Sequence, residues 1–517
     1  MKGKKLFYFD ERGAARPHSD VGTMSERSRT IRAKGYFYIT TTLPYVNAEA
    51  HMGHALEMVR ADIIARYKKL TGYEVFFNTG TDEHGQKIFQ KAKEAGQTPQ
   101  EFVDFYTGKF KELIKLLGLT EEEGITRNFI RTTDENHIKT AEDFWKVCDK
   151  NGYIYKKNYQ TKYCVGCELE KTDSDLTDGK CPDHPNLTLE IRDEENYFFR
   201  FSAFGEKLLA YYEKNPDFVI PDFRFNEIKA FVKRGLQDFS ISRLKSKMPW
   251  GIEVPGDSEH TMYVWFDALV NYVSAIGWPS DMKKYEKWHV NTGGMVQYCG
   301  KDNLRQQSAM WQAMLMACGL PNSKTVVIDG FVTGPGGVKM SKSIGNVVGP
   351  VELIQKYGTD ALRYFVAREI NTFEDGPMSA ESFKEAYNAN LANGLGNLVS
   401  RIMKMATVNG VKVGDTASEF WSSDMKVDFL EKFEIKNYCD EIWADIKSLD
   451  GYIQKEKPFA KIKTDKVGGE KDLVYLLTHL RGITLKLLPI MPETSKAILT
   501  LIKEDKNPEK PLFLRVE

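Results

Sequence analysis

Two short motifs, far apart in the chain, carry side chains suited to handling a polyphosphate, and His51-Met52-Gly53-His54 is the first of them. Its two imidazoles can donate hydrogen bonds to phosphate oxygens as negative charge builds on a leaving group. Gly53 lets a nucleotide approach the backbone closely. By itself the motif is equally compatible with two histidines that cap a helix, because short motifs recur by chance.

The second motif, KMSKS, supplies Lys339, Ser341, Lys342 and Ser343 and follows a glycine-rich stretch at 334–337. Two ammonium groups and two hydroxyls on such a segment can close over a triphosphate and stabilise its charge in the transition state. A lone string of this kind is more often a solvated basic turn. The catalytic interpretation therefore depends on its occurrence together with the first motif.

A third cluster has the spacing of a metal site. Cys164 and Cys167 are two residues apart, and Cys181 and His184 repeat that spacing thirteen residues later. Three thiolates and one imidazole suit a tetrahedral zinc ion, and four protein ligands close its coordination shell. The sequence thus predicts one structural zinc site; the alternative is a set of unrelated thiols beside a surface histidine.

The elements that position these motifs can be predicted from hydrophobic periodicity. Residues 36–41 are aromatic and β-branched, which indicates a buried strand. Apolar residues then recur every three to four positions over 53–72, which predicts an amphipathic helix with Met52 facing the core. The first motif therefore falls at a helix N-terminus, where free N–H groups and the dipole favour a triphosphate. A similar helical pattern covers 473–487, followed by two prolines.

Composition limits the classes of function. A chain of 517 residues should form several domains, and no apolar run is long enough to cross a bilayer. Balanced charge, with 72 basic and 72 acidic residues, gives no general signal for nucleic-acid binding. The cysteines outside the metal cluster are interpreted as buried apolar residues, which favours a reducing, cytoplasmic location; they are Cys148, Cys299, Cys318 and Cys439.

The two polyphosphate motifs and the segments between them resemble the methionyl-tRNA synthetases, a family of class I aminoacyl-tRNA synthetases. The Cys/His cluster is similar to that of the single-zinc subtype. The resemblance runs from about residue 36 to the end of the chain. It rests on TLPYVN at 42–47, GTDEHG at 80–85, FIRTT at 129–133, ENYFFR at 195–200, GLQDFSISR at 235–243, WGIEVPG at 250–256, YVWFDA at 263–268, GKD at 300–302 and LGNLVSR at 395–401.

The resemblance implies a methionine pocket in which Asp82 holds the ammonium group and Arg243 keeps that carboxylate ionised. The backbone N–H of Leu43 and the hydroxyl of Tyr272 would hold the thioether. On spacing alone, Asp82 could equally be a turn residue and the aromatic residues plain core. The implied pocket residues are Leu43, Tyr45, Asp82, Arg243, Trp265, Ala268 and Tyr272.

Further roles follow from the same resemblance. Lys301 and Asp302 would contact ATP together with Gly53, Ser341 and Ser343, and catalysis would rest on His51, His54, Lys339 and Lys342. Asn397 and Arg401, one helical turn apart, would read a CAU anticodon with Phe459 stacked on a base; without the resemblance they would be a surface helix pair. The implied partners are ATP with Mg²⁺, L-methionine and methionine tRNA, including the initiator, bound by a monomer.

Three positions depart from the family pattern. Met52 stands where isoleucine is usual, a volume-conserving change. Gln307 occupies a position near the methionine pocket that is usually histidine. Phe459 replaces a tryptophan and offers a base a smaller stacking face.

The predicted fold is α/β, with a Rossmann-type parallel-sheet catalytic domain split by a zinc-knuckle insertion and followed by an all-α anticodon-binding bundle. The N-terminal extension is predicted to be disordered. The expected boundaries are 1–34 for the extension, 35–155 and 217–324 for the two catalytic halves, 156–216 for the insertion, 325–379 for the KMSKS segment and 380–517 for the helical bundle.

Two other functions are compatible with these motifs. A nucleotidyltransferase of the same fold could adenylate a different small molecule, which would leave the helical region and the knuckle without a role. A catalytically silent RNA-binding relative would instead have damaged ATP motifs, and here both are intact apart from Met52. The resemblance therefore favours a methionine-activating ligase.

Overall fold

The computed structural model describes residues 7–9, 15–17, 34–167, 169–171, 175–338, 349–414 and 428–517. The KMSKS motif, with Lys339, Ser341, Lys342 and Ser343, lies outside the described residues. Most of the predicted N-terminal extension does so too, and its predicted disorder stays a prediction.

The chain divides into two compact units, residues 1–33 and residues 34–517. In the first unit, β1 (Phe7–Phe9) and β2 (Ala15–Pro17) pair antiparallel. The strands of the second unit are β3 (Gly35–Thr41), β4 (Tyr73–Thr81), β5 (Ile125–Arg131), β6 (Ile154–Cys164), β7 (Leu169–Lys171), β8 (Glu190–Phe199), β9 (Val219–Ile220), β10 (Phe239–Ser240), β11 (Ser242–Leu244), β12 (Glu253–Val254), β13 (Asp257–Met262), β14 (Val296–Gly300), β15 (Thr325–Asp329), β16 (Val332–Thr333) and β17 (Gly376–Pro377).

The helices of the second unit fall into two groups, one interleaved with the strands and one that follows them. The first group is α1 (Met52–Leu70), α2 (Gln86–Glu94), α3 (Pro99–Leu116), α4 (Glu135–Lys150), α5 (Gly205–Lys214), α6 (Asp222–Lys233), α7 (Val264–Leu269), α8 (Asn271–Ser274), α9 (Met282–Tyr285), α10 (Trp311–Ala317), α11 (Pro350–Tyr357) and α12 (Thr359–Tyr364). The second group is α13 (Ala380–Ala386), α14 (Asn397–Asn409), α15 (Asp428–Glu431), α16 (Ile435–Glu456), α17 (Pro458–Thr464), α18 (Lys466–Leu487) and α19 (Pro492–Glu504).

Shorter helical turns connect these elements. Turns of 3₁₀ type cover Phe201–Phe204, Lys301–Asn303 and Pro335–Gly337. Turns of π type cover Glu286–Val290, Gln306–Met310, Phe365–Glu369 and Tyr387–Gly396.

A six-stranded parallel sheet forms the centre of the second unit, in the order β5-β4-β3-β14-β15-β9. Side chains alternate between its faces: Tyr38 and Phe76 pack into one apolar core, while Ile39 and Phe77 pack into another on the opposite side. From β3 the chain proceeds through β4 to the edge strand β5, and from β14 it proceeds to β15 on the opposite side. The crevice at the carboxyl ends of β3 and β14 is the topological switch point, where ligands bind in open α/β sheets.

The predicted fold class is confirmed by this sheet and by the helical region that follows it. The predicted strand at 36–41 corresponds to β3, the predicted helix corresponds to α1, and Met52 is fully buried. Between α4 and α5 the chain forms most of an antiparallel sheet, β10-β8-β6-β7, which carries the Cys/His cluster. A second antiparallel sheet, β11-β13-β12, follows it.

The second helical group has the amphipathic pattern predicted for it. In α18 the residues that face the core recur at three- and four-residue intervals, and Pro492 begins α19. The buried members of the predicted series are Leu473, Leu476, Leu477, Leu480, Ile483 and Leu487. The residue boundaries of the predicted domains stay predictions. None of the helices in the described part of the chain combines the length and apolar character needed to cross a bilayer.

Candidate active site at the edge of the parallel sheet

The histidine motif forms the N-terminal cap of α1. The Nδ1 atom of His51 accepts a hydrogen bond from the N–H of Gly53 at 3.1 Å, and Nδ1 of His54 accepts from the N–H of His51 at 3.3 Å. The two rings stack, with centroids 3.7 Å apart. Because both Nδ1 atoms accept, each neutral ring carries its proton on Nε2. Capping uses Nδ1 of each ring, whereas phosphate binding would use Nε2, so the two interpretations of the motif are compatible.

This cap makes the stability of the protein depend on pH in a defined direction. Burial, followed by repulsion from His51, lowers the pKa of His54 well below its ordinary value. The unfolded chain therefore binds a proton that the folded chain does not, and the free energy of unfolding should rise with pH until the pH exceeds the ordinary histidine pKa of about 6.5. The stabilisation should be fully present above that pH and be lost as the pH falls.

Urea unfolding between pH 5 and 7 tests this pH dependence when His54→Asn is compared with the unsubstituted protein. The asparagine cannot titrate, so its curve should be flatter over this range. Equal slopes for the two proteins would contradict the assignment of the pH dependence to His54.

The loop after β3 is joined to the end of β4. The N–H of Asp82 donates to the carbonyl of Pro44 at 2.9 Å, and the N–H of Val46 donates to the carbonyl of Asp82 at 3.2 Å. This short parallel bridge places Tyr45 opposite Asp82 at the carboxyl edge of the sheet. Three predicted pocket residues, Leu43, Tyr45 and Asp82, thus come from two adjacent strand ends, and Asp82 is nearly buried.

A buried carboxylate connects this loop to α7. Asp267 accepts from Nδ1 of His84 at 2.7 Å and from Nε2 of His137 at 2.8 Å. Burial alone would raise the pKa of Asp267, but the two imidazoles outweigh it and hold that pKa below its usual range. Trp265 and Ala268, two predicted pocket residues, lie on the same helix as Asp267. The contacts of Asp267 with His84 and His137 therefore fix this side of the predicted pocket relative to Asp82.

Tyr272 is buried in α8, the helix that follows α7. Its backbone carbonyl accepts from the hydroxyl of Tyr38 at 2.8 Å, and its ring meets the edge of Trp311 with centroids 5.7 Å apart. Burial raises the pKa of Tyr272 well above its ordinary value, so the hydroxyl stays protonated.

Arg243 is buried between the two antiparallel sheets. Its guanidinium donates to Oγ of Ser240 at 2.7 Å and to the carbonyl of Ser242 at 2.6 Å, and it lies 4.4 Å from the ring centroid of Tyr263. These contacts hold the cation in one orientation. The ion pair with Asp82 implied by the family resemblance stays a prediction.

The predicted ATP-contacting pair lies directly after β14. Lys301 donates to Oδ2 of Asp375 at 2.7 Å and lies 4.5 Å from the ring centroid of Phe331. Asp302 is exposed and accepts from the side chain of Asn303 at 3.1 Å. To contact a phosphate, as the resemblance implies, the ammonium of Lys301 would have to share or exchange its contact with Asp375.

Sequence reasoning missed two carboxyl groups at this edge. Glu57 on α1 accepts from the backbone N–H and the hydroxyl of Thr42 at 2.6 and 2.7 Å, which anchors the loop after β3. Burial raises the pKa of Glu57 to about 8, and burial also raises that of Asp329, beside Arg60, to about 7. Glu57 could have been singled out from the sequence, because it is a charged residue on the buried face of the predicted helix.

The Cys/His cluster is brought together as predicted. The ligand atoms of Cys164, Cys167, Cys181 and His184 all lie within 4.8 Å of one another. Sγ of Cys167 is 3.3 Å from Sγ of Cys181 and 3.2 Å from Nδ1 of His184. A tetrahedral zinc ion with zinc–sulfur bonds of about 2.3 Å separates its ligands by roughly 3.8 Å, so the donor set and its dimensions fit zinc.

Gly166 is a second indication that the four residues of the cluster are meant to lie close together. A Cβ atom at this position would lie 2.5 Å from Cδ2 of His184. Only glycine therefore permits the imidazole to lie against the Cys164–Cys167 turn. Outside the cluster, Cys148, Cys299 and Cys439 are buried as predicted, whereas Cys318 is half-buried with its Sγ 3.4 Å from that of Cys148.

Replacing Cys167 by serine is expected to remove tightly bound zinc. A structural site depends on all four ligands, and its metal-binding energy contributes directly to local folding. After dialysis against a chelator, elemental analysis should find one zinc ion per unsubstituted chain and almost none per Cys167→Ser chain. Cys318→Ser is the matched control and should retain the metal; equal zinc content in all three proteins would contradict the site.

Two of the three predicted anticodon residues share a cleft in the helical region. Asn397 and Arg401 are exposed on α14 and line a cavity of about 580 Å³ between α14 and α16. Arg401 forms an ion pair with Asp450, which holds the guanidinium at the cavity wall. Phe459, the second residue of α17, exposes 52% of its surface. Its stacking role stays a prediction.

Comparison with known proteins agrees with this geometry. Residues 37–188 and 185–403 match the family described as tRNA synthetases class I (M). The chain belongs to the methionyl-tRNA synthetases of class I. Methionine–tRNA ligase of Thermotoga maritima is 40% identical over 491 residues, which cover 92% of this chain and 76% of that protein. The Rhizobium meliloti ligase is 38% identical and covers 91% of this chain and 92% of its own.

A solved structure extends the similarity to three dimensions. Mycobacterium tuberculosis methionyl-tRNA synthetase in complex with methionyl-adenylate superposes with a TM-score of 0.82 at 33% sequence identity. The match covers 90% of this chain and 94% of that one. The family resemblance inferred from the sequence motifs is thereby confirmed.

Proposed function

We propose that this chain is a methionine–tRNA ligase that activates L-methionine with ATP and transfers it to methionine tRNA, including the initiator, in translation. The observation that carries the proposal is the convergence of the His51–His54 cap with Tyr45 and Asp82 at the switch point between β3 and β14. A phosphate-binding helix end and a buried carboxylate for an ammonium group thus meet at one edge.

In the first step the methionine carboxylate attacks the α-phosphorus of ATP, and pyrophosphate leaves. Nε2–H groups of His51 and His54 donate to the phosphate oxygens as charge accumulates there. Lys339 and Lys342 are proposed, from the sequence motif, to add positive charge to the same group. Mg²⁺ bound to the ATP phosphates neutralises part of their charge. Asp82 holds the substrate ammonium and so directs the carboxylate to phosphorus.

In the second step a ribose hydroxyl of the terminal tRNA adenosine attacks the carbonyl carbon of the adenylate. Aminoacyl-tRNA and AMP form, with release of a proton. Neither step needs a covalent enzyme intermediate. Zinc, held by the Cys/His cluster, would stabilise the insertion without taking part in the reaction, because four protein ligands leave no open position. A cytoplasmic monomer is part of the same proposal.

Methionine-dependent exchange of pyrophosphate into ATP, measured against a panel of all amino acids, tests the proposed function. Exchange with methionine alone would support both the chemistry and the pocket. Exchange with a different amino acid would support the activation chemistry and contradict methionine as the substrate. No exchange by folded, zinc-loaded protein that still binds tRNA would favour the silent RNA-binding alternative.

Replacing Arg401 by glutamine is expected to weaken tRNA charging without affecting activation. Loss of a guanidinium contact to a base costs about 1–3 kcal/mol, which lowers kcat/KM for tRNA roughly tenfold to a hundredfold. Aminoacylation with methionine tRNA measures the loss, and pyrophosphate exchange on the same samples should be unchanged. Arg515→Gln, at an exposed position, is the control; equal losses in the two variants would contradict an anticodon role for Arg401.

A further inference from the structure

The guanidinium of Arg60 makes five hydrogen bonds in the interior of the protein, where arginine is seldom completely buried. Arg60 lies on α1, fewer than two helical turns after His54. The side chains of Arg60 and of its ion-pair partner Asp329 are 0% and 2% exposed. Nε has one acceptor and each Nη has two, which matches the five N–H groups of a guanidinium. The acceptors, at 2.8 to 3.1 Å, are the carbonyls of Val366, Ile370, Asn371 and Thr372 and Oδ1 of Asp329.

The four carbonyls belong to one segment, residues 366–372, which follows α12 and continues to Asp375 and β17. This segment packs against the chain that follows β15. The N–H of Phe331 donates to Oδ1 of Asp375 at 3.0 Å. A Cβ atom at Gly330 would lie 2.1 Å from the carbonyl oxygen of Glu374, so the two segments touch through their backbones. The contacts of Arg60 therefore hold both segments against α1.

Asp375 connects this segment to the carboxyl edge of the parallel sheet. Its Oδ2 accepts from Nζ of Lys301 at 2.7 Å, and the same ammonium lies 4.5 Å from the ring centroid of Phe331. Lys301 directly follows β14 at the switch point, where ligands bind in open sheets and where an ammonium suits a phosphate. A continuous series of contacts thus leads from α1, through Arg60 and Asp375, to Lys301.

We propose that Arg60 is a positioning residue for adenylate formation, which fixes the placement of Lys301 relative to the histidine cap of α1 so that both meet the phosphates of one ATP molecule. This inference rests on the proposed function. Donors on two separate elements stabilise a transition state only when both are aligned on it, and a misplacement of about 1 Å can cost about 10²-fold in rate. Because all five N–H groups of Arg60 are used within the protein, Arg60 acts through Asp375 and Lys301 and not by contacting ATP.

The set of contacts requires an arginine at this position. The planar guanidinium presents its five donors as a rigid fork, whereas the ammonium of lysine has three N–H groups on one nitrogen. Arg60→Lys therefore keeps a positive charge beside Asp329 but leaves at least two of the five acceptors without a donor. The segment that carries Asp375 would no longer be fixed against α1, and Lys301 would lose its alignment with the histidine cap.

A double-substitution cycle in the pyrophosphate-exchange assay tests the proposal. Arg60→Lys should lower kcat by about 10²-fold, and Lys301→Met should lower it too, while the KM for methionine stays unchanged in both variants. The double variant should lose no more than the more affected single variant, because both substitutions remove the same contribution of Lys301. A general structural defect caused by Arg60→Lys would instead multiply the two losses.

Arg363→Lys is the matched control for the loss of a buried arginine. Arg363 is also fully buried, and its guanidinium lies 2.7 Å from Oδ2 of Asp62 on α1. It donates to no carbonyl of residues 366–375; its carbonyl acceptors are Leu117, Pro489 and Ile490. Arg363→Lys should lower the urea midpoint of unfolding about as much as Arg60→Lys, with kcat of the folded protein nearly unchanged.

A second variant covers the case in which Arg60→Lys does not fold. Asp375 is exposed, so Asp375→Ala should leave folding intact while it removes the acceptor of Lys301. Its kcat should fall about tenfold or more, the range of a hydrogen bond to a charged group, and should fall no further when Lys301→Met is added. Unchanged kcat in Arg60→Lys or Asp375→Ala, multiplied losses in either cycle, or an equal loss of kcat in Arg363→Lys would overturn the inference. Absence of methionine-dependent exchange in the unsubstituted protein would instead overturn the proposed function, and this inference with it.

Discussion

Replacing Asp82 by asparagine is expected to lower kcat/KM for methionine by about 10²- to 10⁴-fold in pyrophosphate exchange. The change keeps the shape of the side chain and removes its charge. Asp82 is nearly buried at the end of β4, so a substrate ammonium placed there would lose most of its water. Removing one partner of a buried charge pair costs about 3–5 kcal/mol, because the remaining charge is left uncompensated.

The kinetic pattern separates this role from a structural one. The KM for ATP should change little, since Asp82 is proposed to contact only the amino acid. Asp217→Asn, at an exposed position, is the matched control and should behave as the unsubstituted protein. If Asp82→Asn kept the KM for methionine within twofold, or if the KM for both substrates rose together, Asp82 would be a turn residue and the pocket would have to be placed elsewhere.

The parts of the fold that were predictable are those in which one short segment contains the whole signal. β3 and α1 follow from the switch between an apolar run and a three-to-four-residue period around the His51–His54 motif. The series from Leu473 to Leu487 identifies α18 for the same reason. The Cys164–His184 cluster was predictable because its ligands lie within 21 positions of one another.

The supporting interactions of the site were not predictable, because each depends on partners far apart in the chain. Asp267 contacts His84 and His137 across 183 and 130 residues. Gln297 lies in β14, a strand whose other residues are mostly apolar. The sequence shows that a polar side chain is buried there, but it does not show which residues contact it. In the folded chain Gln297 accepts hydrogen bonds from Ser323 and Gln312, which lie 26 and 15 residues away along the sequence.

The histidine motif illustrates a different limit. From the sequence, helix capping and phosphate binding were competing interpretations of His51 and His54. The structure assigns Nδ1 of both rings to the backbone, so that the proposed phosphate contacts would have to use Nε2. A one-dimensional motif cannot make this distinction, because it contains residue types and no individual atoms.

The same distinction allows the two roles of His54 to be separated by experiment. In His54→Asn the side-chain oxygen lies near the former Nδ1 and can still accept from the N–H of His51, but no donor remains at the Nε2 position. In His54→Gln the amide nitrogen reaches toward the former Nε2 position, and the acceptor of the cap is lost. His54→Asn thus removes the Nε2 donor of the imidazole, and His54→Gln removes its Nδ1 acceptor.

His54→Asn should lower kcat for pyrophosphate exchange by about 10²-fold or more, the cost of removing one preorganised donor to a developing anion. Its KM for methionine and its unfolding midpoint in urea at pH 7 should change little. His54→Gln should retain at least tenfold more activity than His54→Asn while unfolding at lower urea, since losing a cap costs about 1 kcal/mol. His479→Asn, an exposed histidine on α18, controls for the substitution itself. The reverse order, with His54→Gln less active and His54→Asn less stable, would mean that capping is the only role of His54 and that phosphate binding depends on other groups at this edge.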